Sequence, residues 1–176
     1  QFTPDSKHAI YVKPTASGLS EIWSRTLNRG VPQRLIGGQF DAYSPSFDPS
    51  GRYLYFVSNR DHNLKFSSYE FNYLYVDAGR LFAARLDPTA PALFAAKSDE
   101  FGAAKVAPIQ SSSTDPGQSS RKIDLTDLER RIEALPIASG SFSGLAGAHT
   151  GLVFLQGQAD GSNALKRFNL ETQKLD

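Results

Sequence analysis

Two stretches of this chain match without a gap at a spacing of 45 residues: FTPDSKHAIYV from Phe2 to Val12, and FDPSGRYLYFV from Phe47 to Val57. Each is one turn followed by one strand. In the second copy Asp48-Pro49-Ser50-Gly51 is the turn, where Pro49 pre-sets φ and Gly51 takes a positive φ that a branched side chain resists. Arg52 to Ser58 then runs through aromatic and β-branched residues with no helical period, the pattern of a mostly buried strand. Ser58-Asn59-Arg60-Asp61 closes it with polar turn-formers. A turn-strand cassette that returns after about 45 residues is the mark of a propeller or another repeat array.

What lies between the copies fits one blade of a propeller. Thr15 to Ser20 reads as a turn, Glu21 to Leu27 as the next strand, and Asn28-Arg29-Gly30 as its end. Pro32 to Ile36 suits an outer strand, because proline is tolerated only at a sheet edge. Gly37-Gly38 turns the chain back to the next cassette. The second cycle repeats this and departs from it. His62 to Tyr75 is an aromatic insertion, and Arg80 to Leu86 plays the part of Ile22 to Leu27. From Asp87 to about Gln118 the composition shifts to Pro, Ala, Ser, Lys and Asp, which predicts a long surface loop with Ser111 to Ser120 least ordered.

Lys122 to Ile132 supports two readings. Ile123 and Leu125 alternate like a strand, whereas Leu125, Leu128 and Ile132 have helical spacing with Thr126 as N-cap and Glu129 three residues on. The expectation is a short strand passing into one helical turn over Thr126 to Arg130, then an extended Ala134 to Ile137. Ser143 to Ala148, Gly151 to Gln156 and Ala164 to Leu170 read as three more strands, with Asp160-Gly161 a hairpin turn. The predicted fold is all-β, a partial β-propeller of about three four-stranded antiparallel blades with one short helical turn near residues 126–131. Residues 1–86 hold two blades, the second carrying the insertion at 62–75. Residues 87–121 form the long loop, and 122–176 a further blade left incomplete at its C-terminal end. Because a closed ring takes about 4–8 blades and the chain opens inside a repeat, it is expected to be a piece of something longer.

Bulk properties exclude several classes. A net charge of +1 leaves no electrostatic footprint for nucleic acid or an acidic membrane surface, so neither is expected as a partner. Apolar runs are too short to span a bilayer. The absence of cysteine rules out disulfides, thiolate metal sites and a cysteine nucleophile, and leaves the compartment open.

The two cassettes resemble the repeat shared by TolB-like and tricorn-type propellers, and by themselves do not separate the two. The later segments resemble the tricorn protease family: Phe71-Asn72-Tyr73, then Arg80-Leu81-Phe82-Ala83, then Ser98-Asp99-Glu100. Ile123-Asp124 leading through Leu128, Arg131 and Ile132 to Leu135-Pro136 resembles that family's passage between blades, as does Gly140-Ser141-Phe142-Ser143-Gly144-Leu145. The resemblance covers nearly the whole chain. It implies a large, multidomain, cytoplasmic and homo-oligomeric serine peptidase (a TolB-like relative would instead be periplasmic). Its propeller would serve as scaffold and as route or filter for peptides, and its catalytic core would be absent here. The implied partners are the remaining blades and catalytic domains of the parent and, for the parent, peptide substrates. The alternative is a TolB-like interaction propeller with no peptidase attached; a third reading is the propeller of a prolyl-oligopeptidase-like hydrolase.

The residues themselves supply no machinery that would make this segment an enzyme. A hydroxyl nucleophile needs a base within hydrogen-bond reach, and only His8, His62 and His149 qualify by type. His8 falls inside the first strand, His62 beside a turn and His149 at a hairpin tip. Gly140-Ser141-Phe142-Ser143-Gly144 sets a phenylalanine where a nucleophile elbow needs serine. Asp41, Asp48 and Asp61 are explained by turn chemistry rather than calcium binding. Arg130 and Arg131 could hold a peptide carboxylate but read more simply as a solvated helical face. The aromatic stretch Phe66 to Tyr75 could line a channel or contact a neighbouring domain; packing onto its own blade is the simpler reading. Accordingly no catalytic, cofactor-binding or metal-ligating residue is assigned, and no cofactor is expected.

Overall fold

A computed structural model describes residues 1–28, 30–61, 64–66, 73–75, 78–94 and 123–176. Thirteen strands are ordered among them. The first sheet pairs β1 (His8–Pro14), β2 (Ser20–Thr26) and β3 (Gln33–Ile36) in that order. The second pairs β4 (Ala42–Phe47), β5 (Tyr53–Ser58), β8 (Arg80–Arg85) and β9 (Ile132–Ala134). Between β5 and β8, β6 (Leu64–Phe66) and β7 (Tyr73–Tyr75) form a separate hairpin. The third sheet pairs β10 (Phe142–Ala148), β11 (Gly151–Gly157), β12 (Asn163–Asn169) and β13 (Lys174–Leu175). Every pairing within these sheets is antiparallel. The chain is an arc of an all-β propeller.

The 45-residue spacing is repeated bond for bond. In the second turn the Asp48 amide donates to the Tyr53 carbonyl at 3.0 Å and the Gly51 amide to the Asp48 carbonyl at 2.9 Å. In the first, the Thr3 amide donates to His8 at 2.9 Å and Ser6 to Thr3 at 2.8 Å. Gly51 has φ 70°, and its counterpart Ser6 accepts φ 55° without the freedom of glycine. The match extends further back. Phe2 bridges Ala9 as Phe47 pairs with Leu54, so Phe2 stands beside β1 where Phe47 of β4 stands beside β5. In the third sheet Gly147 pairs with Leu152 in the same place.

Strand β5 shows why the cassette is so apolar: all six of its residues are buried. Leu54 and Phe56 face the first sheet and pack with Ile10, Ile22, Ile36, Phe82 and Ala84. Tyr53, Tyr55 and Val57 face the third and pack with Leu81, Ala83, Leu152, Phe154 and Phe168. A strand covered on both faces reads as a continuous hydrophobic run rather than as an alternation.

The close fit of the second and third sheets depends on Gly147. A Cβ there would lie 2.0 Å from the Phe47 carbonyl oxygen, while the Gly147 amide donates to Ser46 Oγ at 2.9 Å. Nearby, buried Asp48 accepts from Ser50 Oγ at 2.5 Å and from Arg52 Nε at 3.1 Å, and Arg52 reaches across to the His149 carbonyl at 3.0 Å.

Three expectations are corrected. Residues 123–134 do not open a new blade: β9 pairs with β8 and is the fourth strand of the second sheet. The third sheet is not left short, because Lys174–Leu175 pairs with Phe168 and Asn169 as a fourth strand. Thr126 is not an N-cap. The helical turn is a 3-10 turn at Leu128–Arg131, entered through Asp127 in the left-handed conformation at φ 48° with no side-chain cap, and Ile123 to Leu125 form no strand. The cause is Arg131, only 8% exposed, whose guanidinium donates to the carbonyls of Leu86, Asp124 and Thr126 at 3.3, 2.8 and 2.5 Å. These bonds hold residues 124–126 beside the end of β8, where the Asp124 amide also donates to the Leu86 carbonyl at 2.9 Å. The loop expected over 87–121 is described only to Phe94. There Arg85 pairs with Glu133 at 2.9 Å, and Glu133 accepts the amides of Leu93 and Phe94 at 2.8 and 3.2 Å.

One buried polar atom yields a prediction. The Tyr55 hydroxyl is buried without a partner among the described residues, and burial raises its pKa well above the ordinary value, with Asp48 adding to the shift. Tyr55→Phe removes an unsatisfied group, so stability at pH 7 is expected to be unchanged or higher. The unfolded chain releases this proton first, so stability held below pH ~10 is lost as pH rises from there towards the folded pKa. The variant should therefore lose less stability at pH 10.5, read by denaturant titration at both pH values; a loss above ~1 kcal/mol at pH 7 would mean the hydroxyl has a partner.

Candidate functional site

The innermost strands β4 and β10 form the edge that faces the axis of the arc, the side on which a propeller has its central channel. Both carry a bulge at the same place, between Tyr43 and Ser46 and between Ser143 and Ala146. Each bulge holds one left-handed residue, Ser44 at φ 52° and Gly144 at φ 59°. Glycine adopts this freely; serine does so at a cost of about 1–3 kcal/mol. Bulges re-aim an edge and stop it from pairing further, which leaves backbone groups of this rim available to something other than another strand.

At the end of the sheets where β5 finishes and β8 begins, several polar groups are clasped in pairs. Asp41 accepts the Ser20 amide at 2.7 Å, and its own amide donates to Asn59 Oδ1 at 2.9 Å. Asp61 forms an ion pair with Arg80. The Arg60 guanidinium lies 5.4 Å from the Phe56 ring and 5.3 Å from the Phe82 ring, and burial lowers its pKa. Half-buried Tyr43 has its pKa raised by burial and then by Asp41. The β6–β7 hairpin emerges at this same end. The aromatic side chains expected to matter there, from Phe66 to Tyr75, lie outside the described residues, as does His62.

The structure keeps the remaining sequence candidates apart. His8 begins β1 and borders a cleft of about 370 Å³ shared with Ser24, Thr26, Gln33, Asp124 and Thr126. Thr3 engages its backbone rather than its ring, whose Nδ1 is buried without a partner among the described residues. His149 sits in the two-residue turn joining β10 to β11, in a different sheet. Asp41, Asp48 and Asp61 are each engaged separately, and no group of three or more metal-ligating side chains occurs among the described residues. Arg130 is exposed as expected, while Arg131 turns inward, which overturns its reading as part of a solvated face. Sequence reasoning passed over Arg60, because Ser58-Asn59-Arg60-Asp61 looks like turn chemistry alone; its place above two rings shows only once β5 and β8 are paired. The geometry offers a bulged rim and an end where Asp41, Arg60, Asp61 and Arg80 are gathered. No helix among the described residues is long and apolar enough to cross a membrane.

No family model matches the sequence, and no curated protein matches it significantly. Solved structures do match. Tricorn protease aligns with all of this chain at a TM-score of 0.73 and 16% identity, over 17% of its own length. A protein from Agrobacterium tumefaciens assigned to TolB aligns with 99% of the chain at 0.57 and 15% identity, over 46% of its length. TolB from Acinetobacter baumannii aligns with 99% at 0.54 and 15% identity, over 30% of its length. The chain thus spans less than half of each of these proteins. At such identities the likeness establishes the propeller fold.

Proposed function

We propose that this chain is a non-catalytic propeller segment of a tricorn-like serine peptidase, a scaffold and a route or filter for peptides whose catalytic core lies in other residues. The observation that carries this reading is that the likeness to tricorn protease runs through the whole chain at a TM-score of 0.73, against 0.57 and 0.54 for the two TolB structures. The passage from Ile123-Asp124 to Leu135-Pro136 and the Gly140 to Leu145 segment support it from the sequence side. The bulged rim of β4 and β10 is the surface along which an extended peptide would pass, since it offers backbone groups and few charges. The parent is a homo-oligomeric cytoplasmic hydrolase with no nucleic-acid or membrane partner, and its remaining blades cover the ends of the arc. A TolB-like interaction propeller, which would be periplasmic, is the second reading, favoured by the TolB structures sharing the fold.

The test is activity and its genetic context. Incubated with fluorogenic peptides, this chain should release no fluorophore above buffer, and the reading frame around it should encode a serine-containing catalytic core. Serine-dependent turnover by the 176 residues alone, or a frame that ends with the propeller, would overturn the proposal.

A further inference from the structure

At the end where β1 and β5 begin, the first and second sheets share three repeat positions and use them differently. Strand registers fix the correspondence. His8 pairs with Thr26 as Tyr53 pairs with Arg85, and Ser24 pairs with Gln33 as Ala83 pairs with Glu133. In the second sheet these positions grip a loop. Arg85 and Glu133 form an ion pair at 2.9 Å, Arg85 donates to the Ala90 carbonyl, and Glu133 Oε2 accepts the amides of Leu93 and Phe94 at 2.8 and 3.2 Å. Leu93, only 5% exposed, joins the same apolar cluster as Tyr53.

In the first sheet His8, Thr26 and Gln33 border the open cleft of about 370 Å³ instead. The connections explain the difference. Residues 86–131 separate β8 from β9, whereas only 27–32 separate β2 from β3, and they turn tightly, the Gly30 amide donating to the Thr26 carbonyl at 3.2 Å. Yet the side chains keep the hydrogen-bonding roles of their counterparts at smaller size and without charge. The Gln33 amide oxygen can accept where Glu133 accepts, and the Thr26 hydroxyl can donate where Arg85 donates. His8 adds a ring nitrogen, Nδ1, buried without a partner among the described residues. The opposite wall is fixed in advance: Arg131 holds the carbonyls of Asp124 and Thr126, and the Asp124 carboxylate accepts the Thr126 amide at 2.8 Å. Ile123 and Leu125 give that wall its apolar surface. Apolar walls with a few convergent polar groups are the usual form of a small-ligand pocket, and the volume lies in the range of such pockets.

We propose that this cleft binds a short, uncharged peptide, whose backbone Gln33 and Thr26 hold as Glu133 and Arg85 hold residues 90–94, with an apolar side chain set against Ile123 and Leu125. The site is separate from the rim of β4 and β10. It needs the paired sheets but not the peptidase reading, which fluorogenic peptides test independently.

The probe is N-acetyl-leucinamide, which carries the two amides and the one apolar side chain that Leu93 and Phe94 bring to Glu133. Titrated into the isotope-labelled chain and followed by NMR, it should shift the signals of His8, Thr26 and the Gln33 side-chain amide. Saturation is expected with a Kd on the order of 1–10 mM, the weak range of so small a ligand. N-acetylglycinamide, which lacks the side chain, should bind about fivefold more weakly. Gln33→Ala should weaken binding of the probe about fivefold, the loss of one hydrogen-bonding group. Gln33→Glu, which supplies the carboxylate that Glu133 uses, should strengthen it about threefold. A well-dispersed spectrum in which these signals stay still overturns the cleft and leaves the fold standing. So does an equal response to N-acetylglycinamide, or unchanged binding in Gln33→Ala. A spectrum without dispersed amide signals overturns both, because the cleft exists only where the two sheets are formed. Gln33 is exposed, and either variant decides alone if the other fails to fold.

Discussion

Gly147→Ala is expected to lower stability by about 3 kcal/mol or more, one of the largest losses any single methyl can cause in this chain. The added carbon would stand 2.0 Å from the Phe47 carbonyl oxygen and 2.6 Å from its carbonyl carbon, so backbone rather than a flexible side chain would have to give way. Moving β10 away from β4 breaks the bond from the Gly147 amide to Ser46 Oγ and loosens the contact of Arg52 with the His149 carbonyl. It also opens the cluster that Leu152, Phe154 and Phe168 make with the second sheet. Denaturant titration should therefore show a lower midpoint. A change within ~0.5 kcal/mol would mean that the second and third sheets do not approach as closely as described.

Phe56→Ala is the second large effect and draws its meaning from a partner substitution. Phe56 is fully buried, stacked on Phe82 at 5.6 Å, and covered by the first sheet. Truncating such a ring costs about 3–5 kcal/mol through lost burial and the cavity left behind. Tyr11 holds the same place in the preceding repeat, paired with Trp23, but no described sheet covers it and it is 36% exposed. Tyr11→Ala should therefore cost less than ~1 kcal/mol in this chain. Equal losses at the two positions would contradict the equivalence of the sheets or the order in which they stack.

These contrasts mark how much of the molecule is legible in its sequence. The turn and strand of each cassette are local chemistry: Asp48, Pro49 and Gly51 specify a turn, and a run of aromatic and β-branched residues specifies a strand buried on both sides. Both are therefore readable. The partner of residues 123–134 is not. Many residues of sequence separate β8 from β9, and nothing in Ile132-Glu133-Ala134 says which sheet it will join. Arg131 was opaque for a related reason, because the Leu86 carbonyl, 45 residues away, joins the nearby carbonyls of Asp124 and Thr126 in its site only once β8 and β9 are paired. Lys174–Leu175 is too short to carry a period. At the candidate binding surface the residue types were readable, while the αL conformation of Ser44 and the position of Arg60 over two rings depend on register.

Amide hydrogen exchange, resolved by residue, tests the central claim most directly. If the three sheets are successive sectors stacked in one arc, the amides of β5 and β8 belong to the only described sheet covered on both faces. They should exchange slowest, at least tenfold more slowly than those of β1 and β12, whose outer faces are open. Uniform protection across all three sheets, or faster exchange in β5 than in β1, would contradict the account.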